Sequence, residues 1–316
     1  MAESPETSPT NAADWRPASN KIELTALNEK FDRGVSMLAW GYNEELLVQD
    51  FLKSAIACLD AAAKDWEIVF VDDCSTDRTA SIVQALAEQD NRIKLVRHER
   101  NLNVGLACRT AVKHATKDIL FWQTVDWSYD ISQLRIFLEL TRYFDVVQGI
   151  RPVPIRLLSY IPILRSIYRV KRRSDNVSKA VISLSNYYLL RILFGVHFHD
   201  FQNVTFYPTK LAQSLDMTGR TSFVNPEFLL KSFYTGASFV EVPIRFIPRQ
   251  QGVAKGTRPR TVIRSAIDTF RNWLAWGALA RIHGRNKNGT ITRIAEPFSI
   301  DEAVLWLVIP LFRDFR

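Results

Sequence analysis

The stretch EIVFVDDCSTDRT, Glu67 to Thr79, is an apolar run that breaks into two adjacent carboxylates and then a hydroxyl-rich, acidic turn. Such a strand end suits a nucleotide, because open α/β sheets hold their ligands at the carboxyl ends of parallel strands. Upstream, VSMLAWGYNEE (Val35 to Glu45) repeats the design with a short apolar strand, a turn carrying Tyr42 and Asn43, and acidic residues opening a helix. Two successive strand ends of this kind make a shared crevice, in which Tyr42 can stack on a base and Asp73 can accept hydrogen bonds from it.

Working outward, the chain alternates. Leu47, Val48, Phe51, Leu52, Ala55, Ile56 and Leu59 follow helical spacing and predict a helix over 44–63. A helix over 79–88, a strand over 92–97, a helix over 105–115, a strand over 118–123, a helix over 131–143 and a strand over 145–148 follow. Strands alternating with helices imply a Rossmann-like, mostly parallel sheet with helices on both faces.

Three ordered motifs carry a resemblance. The second strand end has Val71, Asp72, Asp73, Ser75, Asp77 and Thr79 in a V-D-D-x-S-x-D-x-T pattern. The first, Ala39 to Glu44, matches P-x-Y-N-E except that the proline is missing, and RNLNVGLACRTAVKHA places Asn103 and Gly105 as in N-x-G-x-x-x-A-x-x-x-G. Together they resemble the family 2 glycosyltransferases over roughly residues 35–268, which implies a GT-A fold with Tyr42, Asn43, Glu44, Asp73, Ser75, Asp77, Asn103, Gly105 and Asp126 on the side of a nucleotide-diphosphate sugar donor. The family presents a metal-binding D-x-D where this chain has TVDWSYD: Thr124 stands at the first aspartate, Asp126 keeps the second, and Ser128 stands where glutamine is frequent. Mg²⁺ or Mn²⁺ would then rest on Asp126, with Ser128, Thr124 and Asp130 as further oxygen ligands, since a diphosphate and water supply most ligands to such an ion. Asp126 as a plain helix cap is the competing reading.

The second half, with FHDFQNVTFYP and NPEFLLKSFYTGASFVEVPIRFIPRQQGVAKG, resembles members that use a polyprenyl phosphate acceptor, dolichyl-phosphate mannosyltransferases among them. The resemblance implies phosphate roles for Arg249, Lys255 and Arg151, and an inverting transfer. Arginine meets phosphate through a two-pronged fork and lysine as a point charge. A hydroxyl of a growing glycan is the alternative acceptor. It must lose a proton, for which Glu227, and after it Asp200, are candidate bases; a phosphate oxygen is already anionic and needs none. Glu227 equally reads as a first-turn helix carboxylate favoured by the helix dipole.

The 316 residues, 47% hydrophobic, suffice for one enzyme-sized unit. Residues 1–33, rich in Pro, Ser, Thr and Ala, read as a disordered tail without the basic start and apolar core of a secretory signal. Residues 34–258 form the sheet domain and 259–316 a helical, membrane-associating region. Cys58, Cys74 and Cys108 are an odd count without metal spacing, which fits reduced thiols in a cytoplasmic setting.

The net charge of +8, from 41 basic and 33 acidic residues, gathers late in the chain, interleaved with large apolar residues. Ile263, Ile267, Phe270 and Leu274 share one face of a basic amphipathic helix, as in an element lying on a membrane surface. Packing of that face on the protein's own sheet is the competing reading. The longest late apolar run, Ala303 to Phe312, falls short of the roughly 20 residues that span a bilayer, so peripheral attachment on the cytoplasmic face is expected. No helix-turn-helix, zinc-finger or RNA-binding pattern appears, which argues against nucleic acid as partner. An inactive scaffold of the same fold is the remaining rival, resting on Thr124.

Overall fold

Strand β1 (Val35–Gly41) lies parallel to β2 (Trp66–Asp72), with Val35 opposite Trp66 and Gly41 opposite Asp72. The two motif-bearing ends therefore emerge side by side. Every residue of β2 is buried, as a strand covered on both faces must be. These features come from a computed structural model that describes residues 29–150, 177–244, 259–283 and 289–293.

Strands β3 (Ile93–Arg97), β4 (Ile119–Trp122), β5 (Val146–Ile150), β6 (Thr205–Pro208), β7 (Ser238–Pro243) and β8 (Thr290–Arg293) complete an eight-stranded sheet in the order β3-β2-β1-β4-β6-β5-β7-β8. All pairings are parallel except those of β6, which runs antiparallel between β4 and β5. Its TFYP sequence is too short for a periodicity to announce it. Aromatic stacking fixes its place: Phe206 stacks on Phe121 at 4.6 Å and Tyr207 on Trp122 at 5.5 Å.

One face of the sheet is covered by α1 (Val48–Ala62), α2 (Thr79–Gln89) and α4 (Leu134–Leu140), which contribute Phe51, Leu52, Val83 and Phe137 to one core. The other face carries α3 (Asn103–His114), α5 (Val177–Phe194) and α7 (Val224–Tyr234), following the short α6 (Thr209–Ser214); Cys108, Leu190 and Phe228 fill that core. Helix α1 starts at Val48 and not at Glu44, because Glu44 to Leu47 form a turn in which the Leu47 and Val48 N–H groups both reach the Glu44 carbonyl at 2.9 Å.

After 258 the chain forms α8 (Pro259–Asn272), a π-helical turn (Trp273–Gly277) and α9 (Ala278–His283) as one continuous rod. The turn sits tightly on α5. A Cβ on Gly277 would come within 2.3 Å of the Phe194 ring, and the Trp273 indole donates to the Leu193 carbonyl at 2.9 Å. The region after 258 is thus not helical alone: β8 extends the main sheet by pairing in parallel with β7.

The apolar face of the rod is not spent on the sheet. Ile263, Ile267, Phe270 and Leu274 are exposed at 58%, 54%, 49% and 59%, with Leu279 and Ile282 continuing the row. Exposed Arg260, Arg264 and Arg271 flank it. Among the described residues no helix is long and apolar enough to cross a membrane.

Candidate active site

The carboxyl ends of β1, β2 and β4 and the start of α3 gather on one edge of the sheet. All four non-glycine residues with positive φ among the described residues lie there: Asn43 (55°), Cys74 (65°), Asn103 (67°) and Trp127 (54°). Left-handed backbone is costly for side-chain-bearing residues and persists where the surroundings enforce it, which is typical of functional sites.

The loops after β1 and β2 are laced together. The Asn43 N–H donates to Ser75 Oγ at 3.0 Å, the Asn43 amide exchanges bonds with Thr76, the Glu44 N–H donates to Thr79 Oγ1 at 2.8 Å and the Glu45 N–H to Asp77 Oδ2 at 3.1 Å. Burial would raise the Asp77 pKa, but the donors Thr79 and Glu45 outweigh it and hold the carboxyl below its ordinary value. Asn43, Ser75 and Asp77, expected on the donor side, therefore shape the crevice by fixing its loops. Tyr42 stands at their rim, 37% exposed.

Asp73 is 4% exposed. Its carboxylate accepts the N–H groups of Leu102 at 2.8 Å and Asn103 at 2.9 Å, and pairs with His98 Nδ1 at 2.7 Å. His98 Nε2 lies 2.9 Å from Thr110 Oγ1. A carboxylate offers about four acceptor positions, so three partners leave Asp73 room for one more. Asp72, fully buried, receives the Ser75 N–H and lies 3.5 Å from the Arg97 guanidinium. His98 and Arg97 were missed in the sequence, although they close β3 as Asp72 closes β2.

The segment after β4 is a closed turn. Buried Gln123 holds it by donating to the Tyr129 carbonyl at 2.8 Å and accepting the Thr124 N–H at 2.9 Å; Thr124 Oγ1 in turn accepts the Ser128 N–H at 3.0 Å. Asp126 is no cap, since α4 starts only at Leu134. Asp130 accepts the Ser132 N–H at 3.0 Å. Among the described residues no three His, Cys, Asp or Glu side chains cluster as a metal cage. The donor set, one carboxylate with hydroxyls nearby, fits an ion that arrives with a diphosphate and draws most of its ligands from that diphosphate and water.

Glu227 is fully buried. Its carboxylate accepts Thr218 N–H at 3.0 Å, Thr218 Oγ1 at 2.8 Å and Gly219 N–H at 2.6 Å, and pairs with Lys231 at 2.8 Å. That is the first-turn helix carboxylate and not a base open to substrate, because its two oxygens are taken up by the Thr218–Gly219 turn and by Lys231 one turn on. Asp200, 2% exposed, is likewise engaged by the Phe201 and Gln202 N–H groups. Gly105 is buried in the first turn of α3 against Arg220. Arg151, Arg249 and Lys255 lie outside the described residues.

Against known proteins, the profile of glycosyl transferase family 2 matches residues 41–181. A dolichyl-phosphate beta-glucosyltransferase of Trichomonas vaginalis is 33% identical over 125 residues, 37% of this chain and 38% of that protein. An undecaprenyl-phosphate 4-deoxy-4-formamido-L-arabinose transferase of Edwardsiella ictaluri is 31% identical over 119 residues, 37% of each. The chain thus spans less than two fifths of the length of these relatives. Among solved structures, glucosyl-3-phosphoglycerate synthase from Mycobacterium tuberculosis, in complex with Mn²⁺, UDP and phosphoglyceric acid, superposes with a TM-score of 0.54 at 15% identity, covering 82% of this chain and 84% of that one. With the sheet order, the crevice and the profile in agreement, residues 41–181 are a family 2 glycosyltransferase domain, carried on a GT-A fold.

Proposed function

We propose that this protein transfers a sugar, with inversion, from a nucleotide-diphosphate sugar to a polyprenyl phosphate at a membrane surface. The observation that carries the acceptor is the state of the two carboxylates expected as bases. Glu227 has both oxygens engaged by Thr218, Gly219 and Lys231, and Asp200, 2% exposed, spends Oδ1 on the Phe201 and Gln202 N–H groups, which disfavours both as bases, whereas a phosphate acceptor requires none. The relatives named as dolichyl-phosphate and undecaprenyl-phosphate transferases support the same class. The exposed apolar row of α8, flanked by arginines, supports a membrane contact, since a polyprenyl chain resides in lipid.

In this reading the nucleoside rests between Tyr42 and Asp73, over loops that the Asn43, Ser75 and Asp77 bonds hold in place. Asp126 would hold Mg²⁺ or Mn²⁺ with the diphosphate, and the ion would offset negative charge on the departing nucleotide. Arg249, Lys255 and Arg151 would supply cations to the donor and acceptor phosphates. The structure of glucosyl-3-phosphoglycerate synthase with Mn²⁺ and UDP supports a divalent ion and a nucleotide in such a crevice.

The test is transfer of radiolabelled sugar from a panel of nucleotide sugars to undecaprenyl or dolichyl phosphate in detergent, with and without Mn²⁺. Metal-dependent formation of a lipid-soluble product is expected, and Asp126→Ala should lower it by about a hundredfold. Product formed only on glycan hydroxyls would replace the acceptor. Nucleotide-sugar binding without transfer to any acceptor would favour the scaffold.

A further inference from the structure

Arg220 stands on the short segment 218–222 that leads into α7. Two carboxylates grip this segment from opposite ends. Glu227 takes the donors of Thr218 and Gly219, while Asp268 of α8 takes the Arg220 N–H at 2.9 Å, the Thr221 N–H at 3.0 Å and Thr221 Oγ1 at 2.8 Å. A further contact joins Ser222 Oγ to Ser265 Oγ at 3.0 Å. None of these bonds uses the Arg220 side chain, and Arg220 is exposed.

The place where it is held is informative. A Cβ on Gly105 would lie 2.4 Å from the Arg220 carbonyl carbon and 2.7 Å from its Cα, so Arg220 presses on the first turn of α3 as only glycine permits. Gly105 lies two residues beyond Asn103, whose N–H meets Asp73. On its other side Arg220 hangs from α8, the helix with the exposed Ile263, Ile267 and Phe270. The Arg220 main chain is thus fastened between the first turn of α3 at the nucleotide edge of the sheet and the inward face of α8, where Ser265 and Asp268 lie across the helix from the exposed apolar row.

We propose that the Arg220 guanidinium binds a phosphate group in the crevice. The chemistry fits, because a guanidinium matches phosphate oxygens with two parallel hydrogen bonds, and a backbone already clamped by Asp268 and Glu227 loses little further freedom on binding. The inference rests on the function proposed above, which supplies two sources of that group: the donor diphosphate and the lipid-borne acceptor phosphate.

The experiment compares full-length wild type with Arg220→Ala, Arg220→Gln and Arg220→Lys. It measures KM and kcat with undecaprenyl phosphate, the thermal shift given by the nucleotide sugar with Mn²⁺, and retention on phosphatidylcholine vesicles with and without undecaprenyl phosphate. Loss of one charge-assisted contact should raise the relevant KM by about tenfold or more in the Ala and Gln variants, with partial recovery in Lys. A raised acceptor KM and lost undecaprenyl-phosphate-dependent retention, with an unchanged nucleotide shift, would identify the acceptor phosphate. A diminished nucleotide shift would identify the donor diphosphate. Wild type that transfers sugar, with all variants within about twofold of it, would overturn the role of Arg220 alone. Wild type that binds neither the nucleotide sugar nor undecaprenyl phosphate would overturn the proposed function and this inference together.

Discussion

The backbone N–H of Asn103 meets the carboxylate of Asp73 at 2.9 Å, and Asn103 takes a φ of 67° as it opens α3. One side chain at the end of β2 thereby fixes where the helix after β3 begins. The Asp73→Ala variant loses acceptors for the Leu102 and Asn103 N–H groups and for His98. Chemical denaturation should show a loss of about 3 kcal/mol, in line with buried bonds to a charged acceptor, and the thermal shift given by nucleotide should vanish. Asp73→Asn, which keeps one acceptor oxygen, should fall between the two.

Asn43 combines a left-handed backbone with side-chain bonds to Thr76. Asn43→Gly removes the bonds but tolerates the backbone, and should cost about 1 kcal/mol. Asn43→Ala loses the bonds and also meets the left-handed penalty of about 1 kcal/mol, so it should be the less stable of the two. Equal unfolding midpoints for both variants would show that the backbone conformation is not held against a cost.

Glu67, 2% exposed at the start of β2, contributes to the acid sensitivity of the fold. Burial pushes its pKa up, yet the Lys94 ammonium at 2.5 Å and the donors of Ser36 and Thr116 outweigh it and bring the carboxyl below its ordinary value. The folded state thus binds the Glu67 proton less readily than the unfolded chain does. Its contribution is fully present above the unfolded carboxylate range, about pH 4.5, and is lost as pH falls through the lower folded value. Glu67→Gln should be less stable than wild type at pH 7, with a smaller further loss on acidification from pH 5 to 3, read from urea midpoints.

Ile267 and Phe270, exposed at 54% and 49%, touch the solvent face of α8 and not the core. Replacing both with Asp should leave the melting temperature within a few degrees, because exposed positions away from structural bonds rarely move stability by more than about 0.5 kcal/mol. Co-sedimentation with anionic vesicles should drop more than about tenfold, from lost apolar burial and added negative charge. Unchanged sedimentation would move the lipid contact to another surface.

Gly105→Ala should displace the 218–222 segment, since the added methyl would sit 2.4 Å from the Arg220 backbone. A loss of about 2 kcal/mol is expected, typical of overpacking against backbone that cannot yield. Arg220→Ala should not relieve it, because the clash is with main-chain atoms.

The sequence by itself determined the parallel half of the sheet. The apolar runs ending at Gly41, Asp72 and Trp122 are continuous, and alternation of strand and helix leaves few ways to bury them. It also determined that Tyr42, Asp73 and Asn103 gather on one edge of the sheet, because they follow directly on strands or open a helix. Only the tertiary structure decided what these residues do there. Asn43 bonds to Ser75 and Thr76, and Asp77 accepts the Glu45 N–H, across two loops over 30 positions apart in sequence, and no local pattern records such a pairing. The same holds for antiparallel β6, four residues placed by the rings of Phe121 and Trp122. Glu227 looks alike in sequence whether it faces substrate or the Thr218 turn. Which of the two it faces depends on the packing of α7 against a segment that α8 holds in place, and packing is a property of the folded whole.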